Sequence, residues 1–75
     1  MKKQTGILTY NESLDRIDVA YSDGTTEGGL HCGTCFDVKL HGRYNPTRIE
    51  KSESWYLVGT GLSGVENIVG LKIRI

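Results

Sequence analysis

The chain has little of what most enzymes and membrane proteins are built from. It has no apolar run near the roughly 18 residues that span a bilayer, so no membrane helix is expected. Met1-Lys2-Lys3 leads into Gln4-Thr5-Gly6 rather than an apolar segment, so no signal peptide is read and a cytoplasmic setting is expected. There are only two cysteines, and in that setting they are expected to stay reduced unless they bind metal or do redox work. Net charge is also missing, since nine basic residues face nine acidic ones. A strongly basic nucleic-acid binder would carry a clear excess. Helical spacing is absent too: no stretch longer than a turn repeats apolar residues every three or four positions.

Size narrows the choice further. Seventy-five residues make one domain, read here as 1–75 with residues 1–4 as a flexible N-terminus. A chain of this length buries only about 60–65% of the surface its unfolded form exposes. A substrate cavity of several hundred Å³ would hollow out that core. Small size therefore points away from an enzyme and toward a surface-binding module.

What is present is alternation. Residues 6–11 place Leu8 and Tyr10 on one face. Residues 16–21 place Ile17, Val19 and Tyr21 on one face and Arg16, Asp18 and Ala20 on the other. A polar turn at 11–15 joins them into a hairpin. Residues 25–34 are irregular and rich in glycine. Residues 35–40 form the clearest strand, with Phe36, Val38 and Leu40 inward and Asp37 and Lys39 outward. His41-Gly42 is a tight reversal, and residues 43–50 return as the partner strand. Pro46 lacks an N–H and demands a sheet edge or a bulge there. A polar turn at 51–54, a strand at 55–59 and a loop at 60–67 with one 3₁₀ turn follow. Residues 71–75 close the chain, with Leu71, Ile73 and Ile75 inward. The pattern predicts an all-β domain: an SH3-like barrel, closed or nearly so, of five or six short antiparallel strands.

Charge is unevenly placed. Residues 1–37 carry Lys2, Lys3 and Arg16 against Glu12, Asp15, Asp18, Asp23, Glu27 and Asp37, a net of −3. Residues 38–75 carry Lys39, Arg43, Arg48, Lys51, Lys72 and Arg74 against Glu50, Glu53 and Glu66, a net of +3. A basic face in the second half would suit nucleic acid.

Cys32-Gly33-Thr34-Cys35 is a Cys-x-x-Cys motif. As a structural zinc site it supplies two of four ligands. His31 abuts Cys32, and His41 lies about 20 Å from Cys35 if 35–40 is a strand. A metal on Cys32 and Cys35 would therefore have to be shared between two chains. A thioredoxin-like redox pair needs a helix N-terminus at the first thiol, and a strand follows instead. Burial is the preferred reading, because free cysteine behaves as a small apolar residue. His31 and His41 read as turn or surface residues. No catalytic triad, P-loop or dinucleotide fingerprint occurs, so no catalytic residue and no cofactor is expected.

The candidate binding residues are Tyr44, Arg48, Tyr56, Trp55 and Arg43. They lie on two strands that share the 51–54 turn, and small barrels bind peptides or nucleic acid through such aromatic and cationic faces. Trp55 reads either as a core or lid residue or as a contact.

Four segments in order are fairly specific together: LHCGTCFDV at 30–38, PTRIE at 46–50, WYLVG at 55–59 and GLKIRI at 70–75. With them the chain, from about Thr5 onward, resembles a small family of unknown function, of the DUF5348 type. Its members are proteins of Gram-positive bacteria and of their plasmids, phages and conjugative elements. Tyr44 stands where that family has tryptophan. The resemblance implies a cytoplasmic accessory protein of a mobile element and carries no catalytic or binding role with it. A non-catalytic module for a protein partner is the leading expectation. Nucleic acid binding is the alternative, and a metal or redox role for Cys32 and Cys35 the second.

Overall fold

The computed structural model describes residues 4–75. Seven strands and one helical turn follow one another: β1 (Thr5–Asn11), β2 (Arg16–Tyr21), β3 (Cys35–Leu40), β4 (Arg43–Lys51), β5 (Trp55–Leu57), β6 (Leu62–Ser63), α1 (Val65–Ile68) and β7 (Lys72–Arg74). All ladders are antiparallel, and the sheet order is β2-β1-β7-β3-β4-β5-β6. The all-β reading holds. The residues expected as a flexible N-terminus fall largely outside the description, at 1–3. Gln4 exchanges two backbone hydrogen bonds with Ile75, at 2.7 and 2.8 Å.

The last strand is the seam of the molecule. β7 lies between the β1–β2 hairpin and the β3–β4–β5–β6 meander, and Ile73 faces both Gly6 and Val38. Its side chain is fully buried. One core forms beneath, from Leu8, Ile17 and Val19 of the hairpin and Phe36, Val38, Ile49, Trp55 and Leu57 of the meander, with Leu30 and Ile68 closing it.

Two elements and one side chain, Asp18, differ from the sequence expectation, while the barrel is of the nearly closed kind. There are seven strands rather than five or six, because β6 is only two residues long and carries no alternation to read. The single turn in the 60–67 loop is α rather than 3₁₀, and Val69 N–H bonds to Val65 O at 2.9 Å. Among the described residues no ladder joins β2 to β6, so the barrel is not closed by hydrogen bonds between end strands. Irregular chain covers the open edge instead. The N–H of Tyr21 bonds to Thr25 O, that of Glu27 to Val19 O and that of Leu30 to Ile17 O. Asp18, expected outward, is buried at this edge, and its carboxylate accepts the Val19 N–H at 2.8 Å. Such coverage removes an edge that would otherwise invite pairing with another chain. α1 touches β1, β5 and β6 and so lies across one end of the curled sheet.

The β3–β4 hairpin turns through His41 and Gly42, both at positive φ, as a two-residue connection requires. Its register runs from Leu40↔Arg43 to Cys35↔Arg48 without a bulge. Pro46 sits where β4 is an edge, since β5 pairs only with Ile49, Glu50 and Lys51. The missing N–H is therefore not needed by a ladder.

Candidate functional site

Directly opposed residues in a ladder point to the same side. Phe36 and Val38 face the core, so Cys35, Asp37 and Lys39 face out, and with them their partners Arg48, Pro46 and Tyr44. The same rule puts Arg74, opposite Asp37, and Tyr56, opposite Glu50, on the outer side. This face carries two adjoining shallow grooves. One, of about 370 Å³, is lined by Cys35, Pro46, Thr47, Arg48, Val58 and Gly59. The other, of about 230 Å³, shares Cys35, Pro46 and Thr47 and adds Phe36, Asp37, Arg74 and Ile75. Pro46 and Cys35 thus make the floor of a trough with Arg48 toward one end and Arg74 toward the other.

The candidate residues divide across this frame. Tyr44, Arg48 and Tyr56 share the outer face. Glu50, the partner of Tyr56, lies six residues along β4 from Tyr44, or about 20 Å. The two tyrosines therefore belong to opposite ends of the face. At one end the Arg74 guanidinium lies 4.3 Å from the Tyr44 ring centre and Lys39 Nζ lies 5.9 Å from it. Arg74 also pairs with Asp37 at 3.3 Å. At the other end Arg48 pairs with Glu50 at 2.9 Å. Arg43 faces Leu40 at the hairpin tip, on the opposite side of the sheet from Tyr44. Trp55 takes the core alternative. It is buried, its Nε1 has no hydrogen-bond partner among the described residues, and Lys51 Nζ lies 5.1 Å from its ring centre.

The cysteines are not buried, contrary to the preferred sequence reading. Cys32 and Cys35 are both free and exposed. The backbone gives the reason. His31 O accepts the Thr34 N–H at 3.1 Å, and Gly33 sits at φ +90° in the third turn position, as a type II turn demands. Gly33 N–H then bonds to Ile49 O at 2.7 Å while Ile49 N–H bonds to Thr34 O at 3.1 Å. Two residues thus oppose one, which is a G1 bulge with glycine at its left-handed position. This turn and bulge put Cys32 at an exposed corner and start β3 with Cys35 pointing outward. Cys35 Sγ lies 3.6 Å from Gly33 O, turned back toward the turn. His31 is held elsewhere, with Nδ1 2.8 Å from an Arg16 guanidinium nitrogen. Among the described residues no three His, Cys, Asp or Glu side chains group together as metal ligands.

Residues that sequence reasoning did not select are Arg74, Asp37, Lys39 and Pro46. Cross-strand register brings them together; for Asp37, Lys39 and Pro46 the signal was the alternation of β3 combined with the two-residue turn at His41-Gly42, whereas Arg74 joins them only through the pairing of β7 with β3.

A family model described as a domain of unknown function, DUF5348, matches residues 6–75. The chain is also similar to a protein from Ruminococcus gnavus whose crystal structure is known. The two are 40% identical with a TM-score of 0.85, and the match covers 96% of this chain and 100% of that one. No curated protein matches.

Proposed function

From the premise that the chain belongs to the DUF5348 family of unknown function, we propose that it is a non-catalytic interaction module. It receives an extended, acidic segment of a protein partner along the outer trough of β3, β4 and β7. The observation that carries this reading is the trough itself. It runs along Pro46 and Cys35 between Arg48 and Arg74, with Tyr44 beside Arg74. Its openness suits a peptide lying on a surface, and an enclosed substrate site would need a deeper cavity. Lys39, Arg48 and Arg74 outnumber Asp37 and Glu50 on this face, which favours an acidic partner. The balanced charge of the chain, nine basic residues against nine acidic ones, speaks against a polyanion such as nucleic acid. An accessory role in the cytoplasm of a bacterium carrying a mobile element is part of the same proposal and rests on the family resemblance alone.

Selection of random peptides on the immobilised domain tests the reading. Acidic sequences are expected to be enriched, and a Tyr44→Ala, Arg48→Ala double variant should bind them about tenfold or more weakly, as loss of an aromatic and an arginine anchor does elsewhere. No enrichment, or equal binding by the variant, defeats it. A gel shift with DNA or RNA probes that fades steeply with salt would favour the nucleic-acid reading instead.

A further inference from the structure

Cys35 lines the floor of the trough, yet peptide recognition needs neither its thiol chemistry nor Cys32, and the placement of the pair calls for its own account. Free cysteine is among the most buried residue types, yet this small domain exposes both of its thiols. Three backbone hydrogen bonds fix the segment that carries them: Thr34 to His31, Gly33 to Ile49 and Ile49 to Thr34. Their spacing is thus set by a turn and a bulge rather than by a mobile loop. A disulfide needs its two Cα atoms within about 7 Å; the turn closes His31 onto Thr34, with Cys32 at its second position and Cys35 immediately after its last, so the two cysteines are three residues apart around one bend. Cys35 Sγ already leans over the Gly33 carbonyl, in the direction of the turn with Cys32 at its corner. His31, the neighbouring metal-ligand type, is engaged by Arg16 through Nδ1. The sulfurs are left as a unit of two.

We propose that Cys32 and Cys35 form a reversible dithiol–disulfide pair oxidised by low-molecular-weight disulfides that carry carboxylates. One thiolate attacks a sulfur of the small disulfide. A protein–small-molecule disulfide forms, and the first small thiolate leaves. The second cysteine thiolate attacks the mixed disulfide at the protein sulfur. The Cys32–Cys35 bond forms, and the second small thiolate leaves. The protein gives up two protons and two electrons, and the small disulfide is reduced to two thiols. Arg48 stands directly opposite Cys35, where it draws a carboxylate-bearing oxidant toward the sulfur. Cys35 lies in both outer grooves, so the bond forms at the trough floor. No helix N-terminus adjoins the pair, so it acts as a responsive bond in the protein and not as a thioredoxin-like catalyst of exchange on others.

The test is intact-mass analysis of the full chain in buffers of oxidised and reduced glutathione, with Cys32→Ser and Cys35→Ser beside it. The wild type is expected to lose two hydrogens and to hold at least about tenfold less glutathione adduct than either serine variant, because the second thiol resolves the adduct at high effective concentration. Both positions are exposed, so the variants should fold, and their circular dichroism checks this. In an Arg48→Ala variant the ratio of the oxidation rate with glutathione disulfide to that with neutral hydroxyethyl disulfide should fall about fivefold from the wild-type ratio, the scale of one exposed charge pair. A wild type that stays reduced while the variants take up adduct, that collects two adducts, or that crosslinks into dimers overturns the proposal. A ratio unchanged from the wild type overturns the preference for carboxylates. None of these outcomes depends on peptide binding, so failure here and failure of the trough reading are separable.

Discussion

Two carboxylate–cation–ring triads sit on this sheet, and they are built in opposite senses. In one, Asp15 pairs with Lys51 at 3.3 Å, and Lys51 lies over Trp55. In the other, Asp37 pairs with Arg74, also at 3.3 Å, and Arg74 lies over Tyr44. The first buries its ring, with Trp55 only 6% exposed, and leaves the Asp15 side chain 65% exposed. The second buries its carboxylate, with the Asp37 side chain 15% exposed, and leaves its ring half-buried on the surface. The same three chemistries therefore do different work. The Trp55 triad is anchored in the core and ties the β1–β2 turn to the β4–β5 turn across 36 residues of chain. The Tyr44 triad is anchored in the sheet and leaves its ring on the outer face, beside the Arg74 that lines the trough.

Truncating the buried ring should break the comparison most severely. Trp55→Ala is expected to cost about 3–5 kcal/mol in urea unfolding, the range for large aromatic truncations in a core. Trp55→Phe should cost far less, since it also removes the Nε1–H that is buried without a partner among the described residues. Similar losses for both would show that the indole nitrogen, not the ring volume, matters at this site.

The second triad should respond most at its carboxylate. Asp37→Ala is expected to lower stability by about 1–2 kcal/mol, because charged hydrogen bonds are lost at a half-buried position. Tyr44→Ala should cost less than about 1 kcal/mol, as exposed cation–ring contacts do, while weakening binding of the selected peptides. A Tyr44→Ala variant that unfolds as readily as Trp55→Ala would erase the distinction between a core ring and a presented ring.

The sequence revealed the strands but not their neighbours. β2 and β3 have the boundaries that alternation assigned, and β4 extends only to Lys51, one residue further. Alternation is a property of a single strand, so it survives without knowledge of what lies alongside. The insertion of β7 between β1 and β3 is not written in any one segment. Without it Arg74 could not be placed beside Asp37 and Tyr44. For the same reason the three outer-face candidates looked like one cluster, although register spreads Tyr44 and Tyr56 over about 20 Å. The cysteines teach the converse. The pattern that turns Phe36 and Val38 inward also turns Cys35 outward, and this local alternation prevails over the general preference of cysteine for burial. Gly33 was the local signal, since a glycine between two cysteines before a strand suits a type II turn running into a G1 bulge.

The smallest effect concerns acid. Asp15 accepts a hydrogen bond from the Tyr10 hydroxyl and another from Lys51, and these hold its carboxyl below the usual value of 3.8. A carboxylate with a lower pKa when folded binds fewer protons than in the unfolded chain. Its contribution is therefore present above the unfolded pKa and is lost as pH falls through the folded one. Stability should decline slightly on acidification from about pH 5 downward, and Asp15→Asn should flatten that part of the curve. Asparagine is the right probe because Asp15 has φ +52°, a left-handed conformation that Asn tolerates well. Asp23 is also held low, by the Thr25 hydroxyl and N–H, so some acid sensitivity should persist in the variant. Asp15 lies largely exposed to solvent, so the change stays well below that of Trp55→Ala. A steep acid loss abolished by Asp15→Asn would mean that the clamp between the two turns, and not the buried indole, holds this end of the barrel together.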